Sequence, residues 1–292
     1  MEIIKNIINK ILINVFSIFY NIFYKEKNTI ILGNPYRNVS GHLKCCYFLL
    51  KSEEIDNVYI INHNNPHYKN ELKYFSLKTL KLILKAKTII YTHNPTDIFP
   101  IIPKGVKKVN IWHGMPIKPI GYKSKIEMNW IRKKEINKVS PYLKNDLLIV
   151  NNDYWVDFFH TSWRFPKERI LPVGSIVQCY LHTYKDFLNK KMKEEFPIDK
   201  KRVIFAPTFR NNGKDAEYIN ELLQLFSEFL DFDFIIKLHP KLNINLEKNI
   251  YNNIIIEKKY DLFELFIVGD LLITDYSSVF NEYIEFKGDC IL

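Results

Sequence analysis

A histidine ends an apolar, β-branched run in Ile111-Trp112-His113-Gly114-Met115-Pro116-Ile117-Lys118, where a Gly/Pro turn and a lysine follow it. Imidazole titrates near neutral pH, so a histidine offered at a strand's end is a candidate general base or anion partner. Three further polar clusters close strand-like runs: Phe205-Ala206-Pro207-Thr208-Phe209-Arg210, Ile236-Lys237-Leu238-His239-Pro240 and Ile273-Thr274-Asp275-Tyr276-Ser277-Ser278. Two histidines, an arginine and a serine pair suit a phosphorylated substrate. The Arg210 guanidinium binds a diphosphate through paired hydrogen bonds that a lysine does not reproduce geometrically. Ser277 and Ser278 open an apparent helix, and a helix start offers both a cap and a phosphate site, because its backbone N–H groups lack partners. Taken singly, His113 reads as a turn histidine, Arg210 as a surface charge and Ser277-Ser278 as a cap; the four clusters together carry the argument.

Ligands of open α/β sheets sit at the carboxyl ends of the strands, so the elements decide whether these clusters share a site. Short β-rich runs read as strands at Thr29 to Leu32, Val58 to Asn62, Thr88 to Thr92, Val106 to Trp112 and Leu147 to Asn151, alternating with helical patterns near 42–51, 76–86 and 153–162. A second series has strands at Val203 to Ala206, Phe234 to Lys237, Ile254 to Glu257 and Leu271 to Thr274, with helices near 180–195, 217–230 and 261–268. Strand–helix alternation predicts parallel sheets, in two Rossmann-like halves meeting between Val173 and Cys179. The expected division is a helix over 1–27, a first domain over 28–174 and a second over 175–292. The closing Gly288-Asp289-Cys290-Ile291-Leu292 reads as a turn feeding a new strand, which predicts a second domain cut short.

Residues 3–24 are apolar almost throughout, yet Lys5, Asn6, Asn9, Lys10, Asn14 and Asn21 interrupt them before a membrane span is reached. At 100° per residue these fall opposite Ile4, Ile7, Ile8, Ile11, Val15, Ile18 and Ile22, the pattern of an amphipathic helix. Such a helix either lies in a membrane interface or docks on its own domain, each of which buries the apolar face. Lys25 and Lys27 follow it and no small-residue cleavage site does, so a cleavable signal peptide is not expected.

The chain has 292 residues, 42 Lys+Arg against 32 Asp+Glu, a net charge of +10 and a pI near 9.1. That balance favours an anionic partner: nucleotide, phosphorylated acceptor or acidic lipid. Ten basic residues, Lys104, Lys107, Lys108, Lys118, Lys123, Lys125, Arg132, Lys133, Lys134 and Lys138, are met by only Glu127 and Glu135, an expected approach path for an anionic lipid-linked or polymeric acceptor. The run lacks the stacking aromatics of a single-strand platform, so nucleic acid is not the expected partner. Cys45, Cys46, Cys179 and Cys290 show no C-x-x-C spacing, which indicates neither zinc nor a disulfide framework and suits a reducing cytosol. No P-loop, G-x-G-x-x-G turn, nucleophile elbow or D-x-D-like element is present, so no metal and no organic cofactor is expected.

In this order the clusters resemble the CDP-glycerol glycerophosphotransferase family, the primases and polymerases of teichoic acid that also occur in capsule synthesis. The resemblance covers residues 85–292 and rests on Trp112-His113-Gly114 with Pro116 and Lys118, Pro207-Thr208 with Arg210, His239-Pro240, and Thr274-Asp275-Tyr276-Ser277-Ser278 with Phe280 and Glu282. It implies a GT-B architecture with the active site between the two domains, the first on the acceptor side and the second holding the donor nucleotide. It also implies metal-independent transfer of glycerol phosphate, or a related polyol phosphate, from a CDP-linked donor to a hydroxyl of a lipid-linked acceptor, releasing CMP at the cytoplasmic face of the membrane. By the same analogy His113 is the base, His239 and Arg210 stabilise charge on the donor pyrophosphate, Thr208, Asp275, Ser277 and Ser278 hold donor phosphate or nucleotide, and Gly114 and Lys118 lie on the acceptor side. Two departures stand out. Gly174-Ser175-Ile176-Val177-Gln178-Cys179 lacks the arginine and the acid common in the family between the domains, and Met115 replaces a common threonine, which is expected to alter the acceptor side. The residues leave two other classes open: a GT-B glycosyltransferase using a nucleotide sugar, separable by the product released, and a non-catalytic anion-binding module.

Overall fold

The strands are short because each crosses a parallel sheet covered on both faces, which selects near-continuous apolar runs rather than alternation. β1 (Thr29–Gly33) and β2 (Val58–Asn62) show it: their residues are buried in unbroken succession apart from one position each. The computed structural model describes residues 2–23, 28–33, 35, 39–63, 70–134, 141–196, 200–208, 215–239, 251–275 and 277–291. The chain divides into two units, Met1–Ile176 and Val177–Leu292.

In the first unit the helix α1 (Glu2–Phe23) leads into β1, α2 (Gly41–Ser52), β2, β3 (Glu71–Lys73), α3 (Leu77–Ile83) and β4 (Ala86–Tyr91). β5 (Lys107–Asn110), α4 (Lys125–Lys134), β6 (Leu147–Val150), α5 (Asp153–Trp163) and β7 (Ile170–Pro172) complete it. All seven strands pair in parallel in the order β3-β2-β1-β4-β5-β6-β7, so the chain reverses its direction of sheet growth between β1 and β4. The second unit holds α6 (Ile176–Thr183), which begins at the last residue of the first, then α7 (Lys185–Glu195), β8 (Lys201–Ala206), α8 (Asp215–Ser227), β9 (Phe232–Ile236), β10 (Ile254–Ile256), α9 (Leu262–Leu265), β11 (Leu271–Thr274), α10 (Val279–Phe286) and β12 (Cys290–Ile291). Its parallel order is β10-β9-β8-β11-β12, with the reversal between β8 and β11. This is the α/β, parallel-sheet class expected from the alternation, and the chain's last described residues do pair as a strand, on β11.

Three elements were not legible in the sequence. β3 has one apolar residue between two charges, and β7 carries a proline that is tolerated because the strand lies at the sheet's edge. α4 hides in the basic run; Ser124 starts it by accepting the Glu127 N–H at 3.2 Å. The helical pattern over 180–195 is two helices broken at Tyr184, and that over 261–268 gives only α9, started by a capping box in which Asp261 and Glu264 satisfy each other's N–H groups.

α1 docks on the first unit, but not by its aliphatic face. Ser17 and Tyr20 are buried: the Ser17 hydroxyl accepts the Lys104 N–H at 2.8 Å, and the Tyr20 hydroxyl donates to the Ala86 carbonyl at 2.9 Å. Asn14 adds an acceptor for Lys104 Nζ at 2.8 Å. Ile11, Val15, Ile18, Phe19 and Ile22 remain exposed, at 40–63% of their surface. The expectation that docking would bury the aliphatic stripe is corrected: Tyr20 enters the core cluster around Ile31 while its hydroxyl and that of Ser17 satisfy backbone groups, with Leu12, Ile13 and Phe16 half-buried. No described helix is long and apolar enough to cross a membrane.

Candidate functional site

His113 owes its position to the way β5 stops. The sequence pattern ran to Trp112, but the ladder ends at Asn110, whose buried side-chain oxygen accepts the Trp112 N–H at 2.7 Å. Trp112 then takes φ 54°, and Gly114 φ 111°. A left-handed aromatic residue costs on the order of 1–3 kcal/mol and persists only where its surroundings impose it. Here Phe159 and Trp163 meet the Trp112 ring nearly edge-on at 6.0 and 4.8 Å between centroids. The strain is spent on the next residue, His113, which is lifted off the sheet at the carboxyl end of β5. Its Nδ1 lies 3.4 Å from the Thr92 carbonyl oxygen. A carbonyl only accepts, so the tautomer that fits carries hydrogen on Nδ1 and makes Nε2 the basic nitrogen.

The His113 ring packs against two others, Trp112 at 4.0 Å and 35°, and His93 at 4.0 Å and 3°, a flat stack. Sequence reasoning passed over His93, although Thr92-His93-Asn94-Pro95 is the same polar punctuation after a predicted strand that singled out the other clusters. Gly114 is buried and Lys118 exposed on the loop beyond it. Met115, at 3% exposure, packs with Ile120, Leu148, Val150, Phe159 and Trp163 in the core under this turn. The basic run is partly used for structure. Lys104 holds α1, Lys108 lies 3.6 Å from Asp146, and Lys123 sits over the Phe158 ring. Glu127 accepts the Gly121 N–H at 2.8 Å and the Tyr142 hydroxyl at 3.1 Å, anchoring the loop that leaves the site.

In the second unit Thr208, at the end of β8, and Asp275, at the end of β11, flank the reversal of strand order, where doubly wound sheets open a crevice for ligands. One Asp275 carboxylate oxygen accepts the Thr208 N–H at 2.5 Å, and the Thr274 hydroxyl donates to the Ala206 carbonyl at 2.6 Å. Asp275 therefore ties the two strand ends together. Ser277 accepts the Val279 N–H at 3.4 Å at the start of α10, while Ser278, at φ −62°, already has helical backbone and makes no side-chain cap. His239 follows β9, the neighbour of β8, so three adjacent strands deliver Thr208, Asp275 with Ser277 and Ser278, and His239 to one edge. Arg210, Pro240 and Tyr276 lie outside the described residues.

A family model described as CDP-Glycerol:Poly(glycerophosphate) glycerophosphotransferase matches residues 13–288. The chain is similar to the teichoic acid poly(glycerol phosphate) polymerase of Bacillus spizizenii, 29% identical over 238 residues covering 75% of this chain and 59% of the relative. It is similar also to the teichoic acid glycerol-phosphate primase of Bacillus subtilis, at 28% over 247 residues, 80% of this chain and 60% of that one. The teichoic acid poly(ribitol-phosphate) polymerase of Bacillus spizizenii shares 29% over 312 residues, 94% of this chain and 47% of its own. The chain thus spans 47–60% of the length of these relatives. Among solved structures, a variant of the wall teichoic acid polymerase TagF soaked with CDPG superposes with a TM-score of 0.72 at 21% identity, over 98% of this chain and 76% of that one. The UDP-GlcNAc 2-epimerase of Neisseria meningitidis bound to UDP-GlcNAc follows at 0.54 and 13%, over 86% and 78%. At these identities the likeness is one of fold, GT-B-like with parallel sheets.

Proposed function

Since the chain belongs to the CDP-glycerol:poly(glycerophosphate) glycerophosphotransferase family, we propose that it transfers glycerol phosphate, or a related polyol phosphate such as ribitol phosphate, from a CDP-linked donor to a hydroxyl of a lipid-linked acceptor. CMP is the product released, and teichoic acid or a capsule-like polymer is the destination. The observation that carries this reading is the strained Trp112-His113-Gly114 turn, which presents a basic imidazole nitrogen at the carboxyl end of β5.

His113 Nε2 takes the proton of the acceptor hydroxyl, the acceptor oxygen bonds to the phosphorus of the polyol phosphate, and the bond from that phosphorus to the bridging oxygen breaks. The electron pair leaves on CMP. Such a transition state needs positioning and charge stabilisation more than covalent help. His239 and Arg210 stabilise the charge that develops on the donor pyrophosphate as CMP leaves; Thr208, Ser277 and Ser278 hold the donor phosphates, and Asp275 acts by holding Thr208. Gly114 and Lys118 serve the acceptor side. In this reading the first unit binds acceptor and the second binds donor.

The same proposal places the protein on the cytoplasmic face of the membrane through α1. Its docked side carries Ser17 and Tyr20, and its outward face is the exposed stripe Ile11, Val15, Ile18, Phe19 and Ile22, as an interfacial helix requires.

The test is acceptor-dependent CMP release from CDP-glycerol, compared with His113→Ala and His239→Ala. Each substitution is expected to lower kcat/KM at least about 100-fold, the usual contribution of a positioned acid or base. Absence of CMP from both CDP-glycerol and CDP-ribitol in the folded parent protein overturns the proposal.

A further inference from the structure

His93 has no part in the reaction as written, yet its imidazole lies flat on that of His113, with centroids 4.0 Å apart and planes 3° from parallel. One residue ties both rings: the Thr92 hydroxyl is 2.8 Å from His93 Nδ1 and the Thr92 carbonyl 3.4 Å from His113 Nδ1. The parallel pairing of Tyr91 with Asn110 sets the register that brings the two strand ends level. Trp112 also packs on His113, at 4.0 Å between centroids, and its ring centroid is 6.3 Å from that of His93.

Elementary electrostatics makes such a stack respond to protons as a unit. An imidazolium over the face of a neutral ring is attracted to it, whereas two imidazoliums in contact repel. The pair therefore accepts a first proton readily and resists a second, and its two titrations belong to the pair rather than to either residue. Resting on the reading of His113 as the base, we propose that His93 is a positioning residue that stacks His113 in place and shares a single positive charge with it, so that His113 stays neutral to lower pH than it would beside a stacked ring that takes no proton.

The charged and titratable groups around the pair come from four segments. Asp97 accepts the Asn94 N–H at 2.8 Å just past His93, and burial raises its carboxyl pKa. His63 at the end of β2 exerts its charge on Asp97, Lys144 donates to Asn94 Oδ1, and Lys118 lies beyond His113.

The direction of the effect follows from the coupling. Against a stacked ring that cannot take a proton, the His93 imidazole leaves the neutral fraction of His113 at least as large at every pH, because its own protonation repels a second charge. Removing the titrating group of His93 thus moves the protonation of His113 to higher pH. In the full chain, imidazole Cε1–H resonances followed by NMR, with His113→Gln used to assign the signal, should show the His113 midpoint rising in His93→Phe, which keeps a flat ring but no proton site. The acid limb of kcat/KM for CMP release should move in the same direction, with KM for CDP-glycerol unchanged. His93→Ala, which also loses the stack, should lower kcat about tenfold at the pH optimum, a fraction of what the base itself contributes. His93→Gln provides a second non-titrating variant should the phenylalanine not fold.

An unchanged His113 midpoint in both non-titrating variants overturns the inference, and does so whether or not the protein turns over. A shifted midpoint in a protein that releases no CMP from either donor sinks the transferase reading and leaves the coupled pair standing. Normal CMP release with an unmoved acid limb sinks the role of His93 and leaves the transferase reading intact.

Discussion

Residues in the site are held more by backbone polar groups than by one another. Asp275 is the clearest case, since its carboxylate ends the accounting of the Thr208 N–H. Asp275→Ala leaves that donor without an acceptor, and KM for the CDP-linked donor should rise about tenfold, while Asp275→Asn, which keeps an oxygen there, should change it little. A folded Asp275→Ala protein with unchanged KM would remove the clamp from the argument. Gly121 offers a purely structural counterpart. Its φ is +58°, and an added Cβ would meet the Ser162 carbonyl oxygen at 2.2 Å and Trp163 at 2.8 Å. Gly121→Ala should cost about 3 kcal/mol in urea unfolding, because backbone gives way less than a side chain end does. Cysteine chemistry follows burial: the Cys46 thiol is pushed up to about 12 by desolvation, while Cys179 is exposed. At neutral pH iodoacetamide should modify Cys179 in the native protein and reach Cys46 only on unfolding.

At the scale of elements, α1 separates two roles that its sequence pattern merges. Tyr20→Phe loses the hydroxyl that donates to the Ala86 carbonyl and should destabilise the protein by about 1 kcal/mol, the ordinary worth of such a bond. Ile18→Asp with Ile22→Asp should leave the unfolding midpoint in place, since both side chains are exposed, yet abolish co-sedimentation with vesicles containing anionic lipid. Retained vesicle binding in that double variant would assign the stripe to something other than lipid. The hydrophobic periodicity revealed α1 and located strands such as β2 and β11 to the residue, because runs like Val58 to Asn62 are apolar enough to declare themselves. It overran β5, where one side-chain oxygen of Asn110 ends the ladder, and it missed α4, whose start lies in the Ser124 hydroxyl rather than in an apolar repeat.

The chain divides into two units, and four clusters among the described residues each draw on one unit alone. The clusters around Ile31, Met115 and Leu32 belong wholly to the first unit and that around Val203 to the second. Residues 1–176 expressed alone should therefore unfold in a cooperative thermal transition, and a broad, featureless melt would show that the first unit needs the second to hold its core. The chain's net charge of +10 belongs to this scale as well, and vesicle binding should weaken as salt rises above physiological strength.

Local sequence determined the alternation of elements, the parallel α/β class and the four polar clusters at strand ends, since each depends on runs of a few residues whose periodicity and turn chemistry are read along the chain. The family too was legible there, through His113, Thr208, His239 and Ser277 in their spacing. The tertiary structure decided what depends on neighbours distant in sequence. It turned Met115 into the core, set Asp275 on the Thr208 N–H, left the aliphatic stripe of α1 outward, and laid His93 on His113. Each of these is settled by which backbone groups and rings arrive from another strand, and parallel register, unlike periodicity, is a property of two segments at once.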